Sequence, residues 1–235
     1  MHKRVRMNLS KSLYIRGLQC NKSLWLYKHL PKLRTPPSEE LQARFDKGHE
    51  IGALARDLFP GGKNIDIEGK TFPHKLHLTK KYIKQLEPVI YEASFSYDQI
   101  FVMADILIYK EDGWELYEVK SSTEIKPVHI NDLSIQYYVL TGFGLPISKA
   151  CIVHTNPTNI INAKSDITDK FVIVDILKEA IIKNEEIKSD ISHLRKMIRT
   201  QSIPNIKPGK QCTTPYECDF INFCNKSQKQ MTLFS

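Results

Sequence analysis

Met103-Ala-Asp105-Ile-Leu107 and Leu116-Tyr-Glu118-Val-Lys120 are two short strand-like runs separated by Lys110-Glu-Asp-Gly113. Val89 to Phe95, Ile100 to Tyr109 and Trp114 to Ser121 are rich in branched and aromatic residues, as strands are, and Lys110–Gly113 has turn composition. Side chains alternate faces along a strand, so Glu118 and Lys120 share one. With a turn at Glu111-Asp112, Asp105 pairs directly with Glu118. With a turn at Asp112-Gly113, it pairs with Lys120 and lies diagonal to Glu118. Either register keeps the three side chains on one face, within about 4.5–8 Å of one another. Two carboxylates meeting across a hairpin offer the oxygen ligands a hard divalent ion requires, and the Val119 carbonyl could add a third. A lysine beside such an ion can orient or help deprotonate water and steady charge on a phosphate. Taken alone, Asp105 could be a strand-end cap and Glu118-x-Lys120 a solvated edge. The combined spacing Asp-x12-Glu-x-Lys across one hairpin is much less common by chance.

Outward from the hairpin, the period becomes helical. Residues 10–30 read as one helix, with Ser10 or Ser12 as cap and Leu13, Gly17, Cys20, Leu24 and Tyr27 recurring at helical spacing. Three prolines between Pro31 and Ser38 form a linker. A second helix starts after Ser38 and runs to about Leu58, stopped by Phe59-Pro-Gly-Gly62. A helix at about 129–142 follows the hairpin, then a buried strand at Ala150–His154. From Ile176 onward, Leu177, Ile181, Asn184, Ile187, Ile191, Leu194 and Ile198 repeat every three or four residues and mark one long amphipathic helix. This order implies an α/β or α+β fold with a mixed central sheet flanked by helices.

The chain has 235 residues and a net charge of +8, which favours a polyanionic partner such as nucleic acid. No apolar run reaches the roughly 20 residues of a membrane helix, and no uninterrupted apolar stretch follows the basic N-terminus, so the reading is of a cytoplasmic protein without a membrane partner. Five cysteines stand at positions 20, 151, 212, 218 and 224. Cys151 lies in an apolar strand and reads as a small buried hydrophobe. Cys212, Cys218 and Cys224 crowd a short tail with Pro215, Tyr216, Phe220 and Phe223, and in a cytoplasmic chain such crowding points to a metal more than to disulfides.

Ile90-Tyr-Glu-Ala-Ser-Phe95, Val102-Met-Ala-Asp105 and Tyr117-Glu118-Val-Lys120 resemble the motifs of RecB-family PD-(D/E)XK nucleases. The chain is especially similar to a large bacterial family related to the CRISPR-associated RecB-like exonucleases. It runs through nearly the whole chain and includes Ser10-x-Ser-Leu-Tyr-Ile-Arg-Gly-Leu-Gln-Cys20-x-Lys-x-Leu-Trp25. The resemblance implies a restriction-endonuclease-like core, with Asp105 and Glu118 binding Mg2+ or Mn2+ and Lys120 as the catalytic lysine. It implies one nuclease domain over 1–235 with a core at about 39–200. It implies cleavage of DNA, with single-stranded ends as the expected substrate, and partners in DNA repair or CRISPR adaptation. The family's Gln-x-x-x-Tyr motif falls at Asp132-Leu-Ser-Ile-Gln136-Tyr-Tyr-Val-Leu140. Gln136 matches, and Leu140 stands where the tyrosine belongs, with Tyr137 and Tyr138 nearby. The family's early histidine falls at Gly52. His49, three residues before, would face elsewhere on the helix, and Glu92 is a candidate further carboxylate or an edge charge.

The resemblance also implies that Cys20 joins Cys212, Cys218 and Cys224 around a [4Fe–4S] cluster, with zinc as the rival because four thiolates suit both. Such a cluster would staple the helix at 10–30 to the tail at 204–226. Lys22, Lys28, Lys32, Arg34, Arg195, Lys196, Arg199, Lys207 and Lys210 either track a phosphate backbone or form a solvated face. Trp25, Tyr27 and Tyr216 either stack bases or pack the core. The missing tyrosine and histidine leave an alternative, in which a nuclease fold binds DNA or a partner protein and cuts weakly or not at all.

Overall fold

The computed structural model describes residues 8–160 and 164–232. Its elements are, in chain order, β1 (Leu9–Ser10), α1 (Lys11–Gln19), α2 (Asn21–His29), α3 (Glu39–Ala55), β2 (Lys63–Asn64), α4 (Ile65–Glu68) and α5 (Phe72–Lys84). These are followed by β3 (Val89–Tyr97), β4 (Ile100–Lys110), β5 (Gly113–Lys120), α6 (Pro127–Gly142), β6 (Ile147–Thr155) and β7 (Phe171–Asp175), then by α7 (Leu177–Ile182), α8 (Asn184–Ile198) and α9 (Ile221–Thr232). They group into two compact units, Ala43–Glu185 and the pair Met1–Gln42 with Glu186–Ser235. No helix among the described residues is long and apolar enough to cross a membrane.

The Ala43–Glu185 unit is built on a mixed sheet in the order β2-β3-β4-β5-β6-β7. The three central strands form an antiparallel meander, β6 joins β5 in parallel, and β7 closes the far edge antiparallel to β6. The mixed sheet and its helices therefore match the expected class. Alternation splits the sheet into two apolar faces. On one, Tyr91, Ile106, Ile108, Tyr117, Cys151, Val153 and Phe171 form a cluster with Ile51 and Ala55 of α3. Cys151 is thus the buried hydrophobe its strand context predicts. Against the other lies α6, whose Leu133, Ile135, Val139 and Leu140 are fully buried. A helix apolar on so much of its circumference is a core helix, and every polar side chain on it needs a partner.

Lys110 pairs with Gly113, so the hairpin turn is Glu111-Asp112. Gly113 begins β5 at φ +135°, and a Cβ there would meet the Pro146 carbonyl oxygen at 2.9 Å, so a residue with a side chain is disfavoured at this junction.

The second unit departs from the single helix expected over 10–30. Cys20 takes an extended conformation and separates α1 from α2, and Ser10 caps α1 by accepting from the Leu13 amide. The amphipathic stretch after Ile176 is likewise two helices, divided at Lys183. Spacing alone did not show these breaks, because apolar periodicity continues through them. Asp219 organises the unit. Arg16 grips it with two nitrogens at 2.6 and 3.0 Å, Arg34 adds a third contact at 2.7 Å, and both guanidinium groups lie over the Tyr27 ring. Tyr14 donates to Asp190 at 2.9 Å, and the Trp25 indole, stacked on His29, donates to the Thr200 carbonyl at 3.0 Å. Tyr27 and Trp25 are thus engaged in packing, whereas Tyr216 is exposed.

Two glycines of the Ala43–Glu185 unit separate backbone preference from packing. A Cβ on Gly52 of α3 meets nothing within 4 Å, so Gly52→Ala should stabilise by about 0.5–1 kcal/mol through helix propensity alone. A Cβ on Gly62 would lie 2.6 Å from the Tyr91 ring and 2.8 Å from Val89, so Gly62→Ala should destabilise by about 1–3 kcal/mol. Urea midpoints of the two variants should move in opposite directions.

Candidate active site

The β4–β5 ladder runs from Lys110 opposite Gly113 to Ile106 opposite Tyr117, a register whose next step would set Asp105 opposite Glu118. There the strands part. Asp105 Oδ2 accepts the Val119 amide at 2.7 Å, so a side chain takes the place of a ladder partner. Tyr117 belongs to the cluster on the α3 face, and alternation turns Glu118 and Lys120 towards α6. The first of the two registers open from the sequence is the one adopted.

Glu118 is 2% exposed, and both its oxygens are engaged. Lys120 Nζ donates to Oε1 at 2.7 Å and Gln136 Nε2 donates to Oε2 at 2.7 Å. Gln136 is fully buried and also donates to the Asp132 carbonyl at 3.1 Å, while its Oε1 is buried with no hydrogen-bond partner. Lys120 makes a second ion pair with Asp132 Oδ2. Burial pulls the Lys120 ammonium down, but Glu118 and Asp132 outweigh it and hold the group above its ordinary range. The structure therefore keeps Lys120 charged.

Asp132 was not among the residues singled out from the sequence. The available signal was a lone acidic residue in a helix with no other Asp, Glu, Lys or Arg, one turn before Gln136. His129 was also missed. Its ring accepts from the Lys126 amide at 3.2 Å and so closes the N-terminus of α6. Burial, reinforced by the nearby Lys120 ammonium, lowers His129 to about 4.

Glu92 lies between the pairs Tyr91–Ile106 and Ala93–Ala104, the step that would face Asp105, and it has φ +55°. Left-handed backbone at a non-glycine residue inside a strand is strained and tends to occur at functional sites. Arg56 pairs with Glu92 at 2.8 Å and lies over the Tyr91 ring. Burial raises the Glu92 carboxyl above its usual range, Arg56 opposes this, and the charges of Asp66 and Glu118 add to the rise. Glu92, Asp105 and Glu118 thus follow one another across three adjacent strands. His49 is exposed on α3, Tyr138 is buried with its hydroxyl 3.3 Å from Asp98, and Leu140 is in the core.

In the other unit, Cys20, Cys212, Cys218 and Cys224 line one small cavity of about 10 Å3, partly open to solvent, together with Lys22, Ser23 and Phe220. Burial raises the thiols of Cys20 and Cys224, and the neighbouring cysteines of the set raise them further. Lys22 reaches the Ile206 carbonyl across the same region. Among the described residues, no three His, Cys, Asp or Glu side chains stand arranged to hold an ion as they are.

No protein-family model and no curated protein matches the chain. Solved structures similar to it include LHK-Exo in complex with dAMP, at 13% identity over 82% of this chain and 90% of that one, with a TM-score of 0.45. SSO0001 is similar at 15% identity over 85% and 80%, TM-score 0.38. A phage-related exonuclease from Haemophilus somnus 129PT is similar at 14% over 84% and 94%, TM-score 0.32.

An imidazole lowered to about 4 in the fold binds its proton more readily once unfolded, where its value is near 6.5. Stability contributed by neutral His129 is therefore present above pH 6.5 and falls as pH drops towards 4. The urea midpoint of wild type should decline from pH 6.5 to 5, a window above most carboxylate titration, and the decline should be shallower in His129→Gln.

Proposed function

We propose that this chain is a metal-dependent deoxyribonuclease of the RecB-like PD-(D/E)XK kind, hydrolysing DNA phosphodiesters from single-stranded ends. One observation supports the reading: Asp105 accepts the Val119 amide, next to Glu118, whose carboxylate Lys120 engages. The motif resemblance described from the sequence points the same way, and the net charge of +8 suits a polyanion.

The residues fit a divalent ion. Asp105, Glu118 and the Val119 carbonyl would hold Mg2+ or Mn2+, and the unpartnered Oε1 of Gln136 is an acceptor suited to a water beside it. When bound, the ion supplies Lewis acidity towards a phosphate and lowers the pKa of water. The chain's own groups do the rest. Gln136 orients Glu118 through Oε2. Lys120, paired with two carboxylates, is a cation placed for charge developing on a phosphate.

The four cysteines of the terminal unit suit a [4Fe–4S] cluster as donors, since they line one cavity and such a cluster takes four cysteine sulfurs. Zinc is the rival occupant. When bound, the group would cross-link the break between α1 and α2 to the C-terminal tail, next to the contacts of Arg16 and Arg34 with Asp219. A cytoplasmic setting and partners in DNA repair or CRISPR adaptation belong to the same proposal. A second reading, a DNA- or protein-binding module without cleavage, draws on Leu140, which fills the core where the resemblance calls for tyrosine.

End-labelled single- and double-stranded DNA incubated with Mn2+ or EDTA decides between them. Cleavage should require Mn2+ and fall at least about 100-fold in Lys120→Ala, comparable to removing one transition-state contact. Intact protein that binds DNA but does not cut it with Mn2+ favours the binding module. Anaerobically purified protein should absorb in the visible and lose that absorption in Cys218→Ser; a colourless, zinc-containing protein overturns the cluster.

A further inference from the structure

The contacts of Glu118 pose a problem that the hairpin alone does not solve. Both its oxygens already accept hydrogen bonds, from Lys120 and from Gln136. A cation drawing on Glu118 competes with those donors. Gln136 is fully buried and tethered a second time, to the Asp132 carbonyl, so the donor free to yield is Lys120. A lysine that yielded with no other partner would be an unpaired charge in a dry site, which is strongly unfavourable, and it would swing away.

We infer that Asp132 is the positioning residue that keeps the Lys120 ammonium at the head of the acidic hairpin independently of Glu118. Three observations support it. Asp132 is 8% exposed and accepts from Lys120 Nζ, so it is no solvated helix charge. It stands one turn before Gln136 on α6, and residues four apart share a helix face. The two spacings also match. Residues two apart on a strand, such as Glu118 and Lys120, are separated by about 6.6 Å, and residues four apart on a helix, such as Asp132 and Gln136, by about 6 Å. One face of α6 therefore holds both ends of Glu118-x-Lys120, Gln136 at the glutamate and Asp132 at the lysine.

The contact is a matter of structure, while the role given to Lys120 rests on the nuclease reading, so the test has two arms. In the first, urea unfolding is compared for wild type, Lys120→Ala, Asp132→Asn and the double variant, Asp132→Asn being isosteric and so the mildest change. Lys120→Ala leaves Asp132 without its counter-charge and Asp132→Asn leaves Lys120 with Glu118 alone, so the double should unfold at a higher urea concentration than the summed single shifts dictate. Additive shifts overturn the clamp whatever the activity.

In the second arm, single-turnover cleavage of single-stranded DNA with Mn2+ is followed in the same proteins and in Asp132→Glu. Asp132→Asn should lower kcat roughly 10–100-fold with KM for DNA little changed, as removal of an orienting partner does. Asp132→Glu should recover part of the loss, and Asp132→Asn should cost nothing further in the Lys120→Ala background. Cleavage by Asp132→Asn at the wild-type rate, or equal losses in both backgrounds, overturns positioning. Wild type that cuts no DNA while its unfolding cycle shows coupling overturns the nuclease reading and leaves the clamp standing.

Discussion

A buried carboxylate must be fully satisfied or neutralised, and Glu118 sets that condition for the whole Ala43–Glu185 unit. It is placed by β5, but β5 supplies only one of its partners, Lys120. The other comes from α6, which must lie close enough for Gln136 to reach it. This requirement fixes the rotation of α6 about its own axis. The apolar side chains that bury α6 against the sheet do not by themselves choose that rotation, because they surround much of the helix.

The site also shows how charges of both signs are kept in a dry region. Glu92, Asp105 and Glu118 follow one another on adjacent strands, and unrelieved they would repel. Arg56 answers Glu92, the Val119 amide answers Asp105, and Lys120 with Gln136 answers Glu118. Asp132 then balances Lys120, which would otherwise be shared with a single partner. His129 stays neutral beside this cluster, and its unprotonated nitrogen closes the N-terminus of the helix that carries Asp132 and Gln136. Electrostatics and helix geometry are therefore coupled through one element.

The terminal unit is held differently. Asp219 joins Arg16 and Arg34, two residues distant in sequence from it, and burial that would raise its carboxyl is outweighed by their guanidinium groups, which hold it low. These contacts join α1 to the C-terminal tail, and the four cysteines of the same unit line a common cavity.

Periodicity and composition were enough to determine the strands of the hairpin, the helices read at about 39–58 and 129–142, the mixed sheet and the face shared by Glu118 and Lys120, because alternation and helical spacing are local properties of the chain; the structure ends the first at Ala55 and starts the second at Pro127. The hairpin register was open in the sequence, since Glu111-Asp112 and Asp112-Gly113 both suit a turn, and the structure chose through the conformation of Gly113. The breaks at Cys20 and Lys183 were invisible because apolar residues recur at helical spacing on both sides of each. Asp132, His129 and the Arg56–Glu92 pair were decided only by tertiary structure. Their partners lie on other elements, and a side chain's need for a buried counter-charge cannot be read until packing shows which residues are removed from water.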